Sequence, residues 1–243
     1  MTGWLALLVV GLTAPTGETA DIPSVLQQDA VVCESAEVSP EATVLACKSL
    51  LQFDGLTRAD QAATLFDLAR GYDLKGDVGR AIANYSAAIK LQPDFAWAYY
   101  DRGRAYCVRG DYGRAIADND AALRLRPEDA SAFNNRGIAW LGEGRPDRAI
   151  ADFDQAIRFE PRAPSTFYNR GFAWFRAGQY DRAIGDFSAY ISLAPHYADG
   201  LGARGAAWLR KRDTDRAISD FDQAIALEPD NAALYSLRGA AWF

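Results

Sequence analysis

The sequence predicts an all-α protein of the solenoid class, because alanine, proline and aromatic residues each recur every 34 residues. The alanines are Ala81, Ala115, Ala149, Ala183 and Ala217. The prolines are Pro93, Pro127, Pro161, Pro195 and Pro229, and the aromatic row holds Tyr85, Phe153, Phe187 and Phe221, with Asn119 in its second place. A fixed period of about 20–50 residues is typical of architectures in which each unit buries its apolar face only against its neighbours. We therefore expect a stack of equivalent helical units.

Glycine marks two further places in each unit. One row holds Gly103, Gly137, Gly171, Gly205 and Gly239, with Ala69 in the first copy, and three residues later come Tyr72, Tyr106, Trp140, Trp174, Trp208 and Trp242. Small residues in such a row let two helices approach closely, so a larger side chain should overpack the contact. The other row holds Gly76, Gly110, Gly144 and Gly178, where a first helix must end. Arg212 replaces this glycine in the fifth copy, so we expect a less relaxed turn there.

These rows resemble the tetratricopeptide repeat (TPR) family, whose repeat combines an aromatic residue, Leu-Gly, Tyr, Ala-x₃-Phe and Pro in 34 residues. The resemblance implies an α-solenoid of antiparallel helix hairpins, the TPR superhelix, from Ala62 onwards. The copies are predicted at 62–95, 96–129, 130–163, 164–197 and 198–231, and the first helix of an incomplete sixth copy at 232–243.

Arginine departs from the family pattern by taking the place of its Leu before the Gly. The arginines are Arg102, Arg136, Arg170, Arg204 and Arg238, and a row of aspartates in the second helix holds Asp118, Asp152, Asp186 and Asp220. The first copy has Leu68 and Asn84 instead, so the copy that lacks the arginine also lacks the aspartate. We interpret the two rows as an Arg–Asp pair within each hairpin, with two independent solvated rows as the alternative. A last departure is Tyr190, which stands where other copies have alanine and predicts a local bulge or opening.

The first 20 residues predict a signal peptide. Trp4 to Leu12 is an unbroken apolar run whose length suits a secretory signal and is too short to span a bilayer. Small residues follow, Ala14 and then Thr19-Ala20. No Lys or Arg precedes the run, so a short apolar anchor or a misplaced start codon is the alternative.

Residues 21–61 lie outside the 34-residue frame and predict an N-terminal helical cap. Ser39-Pro40-Glu41 predicts the start of a helix that runs through Leu51 and covers the first hairpin. The apolar face of this helix is predicted to contain Val44, Leu45, Cys47, Leu50 and Leu51.

Two cysteines of this cap segment predict a disulfide. Cys33 and Cys47 lie 14 residues apart, which suits neither a metal site nor a redox motif and favours a bridge in an exported protein. Exported bacterial TPR proteins that this chain resembles often place such a two-cysteine cap before their repeats, which implies a periplasmic or secreted protein. Two buried thiols in a cytosolic helix pair are the alternative, and Cys107 is expected to be a free thiol.

Composition and motifs argue against nucleic-acid binding and catalysis. The net charge is −6 and the chain has no basic run, whereas phosphate contact needs clustered Lys and Arg. The lone histidine, His196, cannot build a histidine metal site or a catalytic triad. No nucleotide-binding or nucleophile fingerprint is present, and the carboxylates recur with the repeat. We therefore expect no enzyme, no cofactor and no metal.

In the TPR family the first helix of each hairpin lines the inner, concave surface. The resemblance carries this role by phase onto Phe66, Arg70, Trp97, Tyr100, Arg104, Asn134, Ile138, Tyr168, Phe172 and Phe175. Aromatic and arginine residues anchor interfaces, and an extended peptide or a partner helix fits such a groove. Packing between hairpins is the alternative role for several of these residues. A clamp for a peptide's C-terminal carboxylate is not expected, because Asp101 occupies a matching place and would repel it.

The expected function is a non-enzymatic scaffold that binds a peptide or a partner protein on the concave face of the array. The alternative is a regulatory or targeting arm of a larger enzyme or complex that continues beyond residue 243. The last helix is apolar on its outer face, which predicts either a truncated chain or self-association through this end. We expect no nucleic-acid partner and no stable membrane span in the mature chain.

Overall fold

The computed structural model describes residues 23–35 and 37–242, and these ranges contain thirteen α-helices and no strand. The predicted signal peptide, residues 1–20, lies outside the described residues, as does Phe243. In chain order the helices are α1 Ser24–Glu34, α2 Pro40–Leu50, α3 Arg58–Leu74, α4 Val78–Leu91, α5 Ala96–Val108, α6 Tyr112–Leu125, α7 Ala130–Gly142, α8 Pro146–Phe159, α9 Pro164–Arg176, α10 Tyr180–Leu193, α11 Ala198–Arg210, α12 Thr214–Leu227 and α13 Ala232–Ala241. None of the described helices is both long and apolar enough to cross a membrane. The chain divides into two compact units, up to Asp94 and from Phe95.

The first unit begins with a helical hairpin of its own, α1 and α2, ahead of the first repeat. α2 starts where the sequence predicts, because Ser39 accepts a hydrogen bond from the Ala42 backbone N–H at 3.2 Å and Pro40 follows the cap. The sequence did not predict α1, since Pro23 before it offers no side-chain cap and no repeat marks its place. Both helices contact α3, so they cover the first repeat hairpin, α3 and α4.

A disulfide between Cys33 and Cys47 joins α1 to α2, with their Cα atoms 4.9 Å apart. The predicted apolar face of α2 is wrong at Leu45, whose side chain is 71% exposed. Thr43 and Ala46 are buried instead. The buried residues of α2 follow the helical spacing around Cys47, which the disulfide holds against α1, and Leu45 therefore points to the opposite side.

The second unit stacks four hairpins and a final helix. The hairpins are α5–α6, α7–α8, α9–α10 and α11–α12, and α13 packs on α12. Each second helix also contacts the first helix of the next hairpin, and successive first helices contact one another. Helices α5, α7, α9, α11 and α13 therefore form a continuous layer on one side of the unit, which we call the first-helix layer. The predicted solenoid of antiparallel hairpins is confirmed.

Glycine allows the two helices of a hairpin to enclose an aromatic ring. A Cβ on Gly137 of α7 would lie 2.6 Å from Cε1 of Phe153, which is completely buried on α8. Gly171 meets Phe187 in the same way, with a Cβ 2.8 Å from its ring. The predicted close approach is therefore present in the hairpins.

We expect Gly137→Ala to destabilise the protein by about 1–3 kcal/mol, because the added methyl group must displace the Phe153 ring. Gly239 holds the same place in α13, yet no described atom lies within 4 Å of a Cβ built there. Gly239→Ala should therefore be neutral, or stabilise by up to about 1 kcal/mol through helix propensity. Urea denaturation followed by circular dichroism compares the two variants, and equal losses would contradict this packing.

The first helices end at residues with left-handed backbone conformation. The glycines have φ between +74° and +77° and are Gly76, Gly110, Gly144 and Gly178. Arg212 adopts the same conformation with φ of +63°. A residue with a Cβ pays about 1–2 kcal/mol for this conformation, so the predicted less relaxed turn is confirmed.

The predicted Arg–Asp pairs are present in the hairpins of the second unit. Arg136 donates from Nε to Asp152 Oδ2 at 2.8 Å and from Nη2 to Asp152 Oδ1 at 2.6 Å. The equivalent bidentate pairs are Arg102–Asp118, Arg170–Asp186 and Arg204–Asp220. The aspartates are buried, so the alternative of independent solvated rows is wrong.

The same arginines also join neighbouring hairpins. Arg136 Nη1 donates to Asp120 of the preceding hairpin at 2.6 Å. The equivalent contacts are Arg170–Asp154, Arg204–Ser188 and Arg238–Asp222. The hydrogen bonds that Arg136 donates to Asp152, opposed by burial, raise the pKa of Arg136 above its ordinary value. Arg136, Arg170 and Arg204 thus each close their own hairpin and fix its stacking on the one before.

The predicted bulge at Tyr190 is absent, because α10 runs without a break from Tyr180 to Leu193. Gly200 on α11 makes the space instead, since a Cβ there would overlap the Tyr190 ring. The equivalent places in the second unit carry a side chain and are Ala98, Ala132, Thr166 and Leu234. A cleft opens beside Tyr190, so the opening that the sequence predicts is present without a helix defect.

Candidate protein-binding surface

The ten predicted surface residues fall into both units. Phe66 and Arg70 lie on α3 of the first unit, and the other eight lie on α5, α7 and α9 of the second. The second unit therefore brings together the larger part of the predicted surface, on its first-helix layer.

In the first unit, Phe66 and Arg70 are engaged with their own neighbours. The Phe66 ring lies 5.7 Å from the Tyr85 ring, and the Arg70 guanidinium lies 5.9 Å from the Phe66 ring. Arg70 also forms an ion pair with Asp67 at 3.4 Å. Burial raises the pKa of Asp67 to about 6, against the opposing effect of Arg70. Arg70 therefore has a structural role in balancing a buried carboxyl.

On α5, Trp97 is the most exposed aromatic side chain of the predicted surface. Its side chain is 47% exposed, and its ring meets Tyr100 edge-on with centroids 6.2 Å apart. The guanidinium of Arg126 lies 4.0 Å from the Trp97 centroid and also pairs with Asp129. Arg104 pairs with Asp101 at 3.6 Å. This end of the layer therefore offers a partly exposed pair of aromatic rings beside paired charges.

Asparagines connect the middle of the layer. Asn169 on α9 donates to the side-chain oxygen of Asn134 on α7 at 3.0 Å. Asn135 donates to the Asn119 side chain at 3.2 Å, which satisfies the polar residue that replaces phenylalanine in the second copy. Ile138 packs against the buried cluster around Phe153, so its contribution is mainly to the core.

On α9, Phe172 is exposed while its aromatic neighbours are partly buried. Phe172 is 41% exposed. Phe175 packs edge-on against Tyr180 at 5.5 Å and belongs to the core between α9 and α10. Tyr168 lies 5.7 Å from the buried Phe187 ring and 5.2 Å from Tyr190. Among the predicted residues of the layer, the exposed aromatic side chains are thus Trp97 and Phe172, and Tyr168 is partly exposed.

The sequence prediction missed three residues beside Tyr168. Tyr190, Tyr197 and Asp199 line the same cleft as Tyr168, at the end of α10 and the start of α11. They were missed because the phase rule considers first-helix positions alone. The available signal was their departure from the equivalent residues of other copies.

Two other kinds of site, a metal site and a reactive thiol, have no support in the described part of the chain. The described residues contain no cluster of His, Cys, Asp and Glu that suits a metal ion. Cys107 is a free thiol, and burial raises its pKa to about 11, so it is a poor nucleophile at neutral pH.

Three sequence-family models match the chain. Two tetratricopeptide repeat models match residues 100–165 and 137–204, and a TPR repeat model matches residues 72–107. Together these matches span more than half of the chain. The chain belongs to the tetratricopeptide repeat family. Comparison with curated protein sequences found no significant match.

Solved structures similar to this TPR protein share its fold. One of them, pilF of Pseudomonas aeruginosa, has a TM-score of 0.71 and 18% identity, and the match covers 88% of this chain and 95% of that one. MamA from Desulfovibrio magneticus RS-1 has a TM-score of 0.66, 21% identity and coverage of 72% and 99%. YrrB, described as a TPR protein with an unusual peptide-binding site, has a TM-score of 0.63, 23% identity and coverage of 81% and 99%.

Proposed function

We propose that this TPR protein is a non-enzymatic scaffold that binds a peptide or a partner protein on the first-helix layer of its second unit. The observation that carries the proposal is the set of accessible aromatic side chains on this layer. Large aromatic residues are the types that anchor protein interfaces, because they bury much area at little entropic cost. The peptide-binding site described for YrrB, a protein of the same fold, supports a peptide as one form of partner.

The rigidity of the layer supports this role. The arginines of α7, α9 and α11 are each held by two carboxylates or by a carboxylate and a hydroxyl. A surface whose helices are fixed in this way loses little entropy on binding, so more of the contact energy appears as affinity. The first-helix layer, which corresponds to the concave surface in the TPR family, is therefore our proposed docking face.

We expect Trp97→Ala and Phe172→Ser each to weaken partner binding at least about tenfold, because each removes an exposed aromatic anchor. Partners are captured from an extract of the native host and identified, and their affinity for the purified variants is then measured by titration calorimetry. Leu227→Ala provides a control, since Leu227 is similarly exposed at 42% but lies on the second helix α12 and not on the first-helix layer. A partner that binds both anchor variants with unchanged affinity would exclude this layer as the docking face.

We also propose that the protein acts outside the cytoplasm, in the periplasm or after secretion. The apolar run at Trp4–Leu12 and the bond between Cys33 and Cys47 support this location, because disulfides persist in oxidising compartments. Intact-mass measurement of the protein from its native host, with and without a reducing agent, tests it. A protein that retains residues 1–20 and carries reduced cysteines would contradict export.

A further inference from the structure

Several departures from the repeat meet at one place in the second unit. Tyr190 replaces an alanine, and Gly200 replaces a residue with a side chain. Asp199 stands where the equivalent residues are Trp97, Ser131, Ser165 and Ala233. Tyr197 stands where they are Phe95, Asp129, Ala163 and Asn231. Sequences tend to break their own local rules at functional sites, so this concentration of departures points to a site.

The departures build an aromatic cleft. Its volume is about 340 Å³, and its walls include Tyr168, Tyr190, Tyr197, Ala194 and Asp199. The Tyr168 and Tyr190 rings are 5.2 Å apart and inclined at 57°, and Tyr197 stands 61% exposed at the rim. Tyrosine at position 190 requires glycine at position 200, because the Tyr190 ring occupies the space that a Cβ at position 200 would need. We call this site the tyrosine cleft.

The charge of the tyrosine cleft is negative. Asp199 is the one charged side chain in its described lining, and no ion-pair partner for it exists among the described residues. Burial, and then the charge of Asp199, raise the pKa of Tyr168 and of Tyr190. Asp199 also lies in the first turn of α11, where a carboxylate stabilises the helix. That role explains an acid at this place but not the three tyrosines around it.

The chain itself shows what such a group of residues holds. At the equivalent corner of the α5–α6 hairpin, Arg126 stacks 4.0 Å above the Trp97 ring and pairs with Asp129 at 3.0 Å. The residue at the place of Arg126 in the tyrosine cleft is Ala194. The tyrosine cleft therefore has aromatic faces and a carboxylate but lacks the arginine that completes the other corner.

We propose that the tyrosine cleft binds an arginine side chain of the partner. The guanidinium would stack on the ring faces of Tyr168 and Tyr190 and donate hydrogen bonds to Asp199. Guanidinium groups stack on aromatic rings and pair with carboxylates in a planar geometry, which suits this arrangement better than a compact ammonium group does. This inference rests on the proposed function, since it assigns one side chain of the peptide that the first-helix layer binds.

The test uses two tripeptides that differ in charge but hardly in shape, acetyl-Gly-Arg-Gly-amide and acetyl-Gly-citrulline-Gly-amide. Each is titrated into the ¹⁵N-labelled protein, and the backbone amide shifts are followed by NMR. We expect the arginine peptide to shift the amides of Tyr168, Tyr190 and Gly200 and to bind at least about fivefold more tightly than the citrulline peptide. Equal affinities, or shifts confined to other regions, would overturn the proposal.

Variants identify the groups responsible. Asp199→Asn and Tyr190→Ala should each weaken the arginine peptide at least about fivefold. Tyr190→Ala restores the residue that other copies hold, so it is compatible with the repeat. Asp215→Asn is the matched control, because Asp215 is also an exposed acid in the first turn of a helix, α12. Unchanged binding by Asp199→Asn would also overturn the proposal.

The outcomes separate this inference from the proposed function. If the arginine peptide does not bind while Trp97→Ala still loses the partner, the tyrosine cleft is wrongly assigned and the docking layer stands. If the arginine peptide binds at the tyrosine cleft but the anchor variants keep their partner, the cleft is supported and the docking layer is wrongly assigned.

Discussion

Arg136→Met is expected to lower the free energy of unfolding by about 3 kcal/mol, because it leaves the buried carboxylate of Asp152 without its partner. Two hydrogen bonds of 2.6 and 2.8 Å join the pair, and Asp152 is only 6% exposed. Stripping one partner from a buried ion pair costs far more than the pair contributes net, since the remaining charge is desolvated and uncompensated. Urea denaturation followed by circular dichroism measures the change.

Two further variants show whether the cost comes from the unpaired charge. The double variant Arg136→Met/Asp152→Leu should recover most of the lost stability, because apolar residues of similar size can replace a buried pair. Asp120→Asn removes the negative charge from the contact between Arg136 and the preceding hairpin, and should cost less than about 1 kcal/mol, since the Asp120 side chain is 46% exposed. A double variant as unstable as Arg136→Met would show that the unpaired charge of Asp152 is not the cause of the lost stability.

Removal of the disulfide is expected to destabilise the first unit by about 3 kcal/mol. The bond closes a loop between residues separated by 14 positions, and in the chain-entropy model this restricts the unfolded chain. The Cys33→Ala/Cys47→Ala variant is compared with the oxidised wild-type protein in urea denaturation. Hydrogen exchange should show the largest loss of protection in α1, which the disulfide joins to α2.

Cys107→Ala is the control for this experiment, because Cys107 is a free thiol in the second unit. It should shift stability by far less, and its effect should not change when a reducing agent is added. If α1 keeps its protection in the double variant, packing alone holds the N-terminal hairpin and the disulfide contributes little.

The sequence predicted those features of the fold that repetition displays. The rows around Gly137 and Phe153 predicted the helix hairpins, and the joint absence of Arg and Asp in the first copy predicted the ion pairs. Arg212 was recognisable for the same reason, because one copy differs from four at a place with a known backbone demand. Repetition within one chain thus replaces the comparison of many sequences.

Features that occur once were harder to predict. α1 has neither a side-chain cap nor a repeated counterpart, so only its tertiary contacts show its place. Leu45 was placed on the wrong face because the buried side of α2 depends on how the disulfide orients the helix. At Tyr190 the sequence showed the added bulk but not its compensation by Gly200 in the next helix. Such compensation depends on contacts between helices, which a single periodic row does not contain.

The most direct test of the central claim is site-specific photo-crosslinking of the protein to its partner. A benzoylphenylalanine is placed at Phe172 on the first-helix layer, and in a second sample at the exposed Ala151 on the second helix α8. We expect the partner to crosslink to position 172 and not to position 151. Crosslinking at position 151 alone would contradict it, since the partner would then bind on the side of the unit away from the first-helix layer.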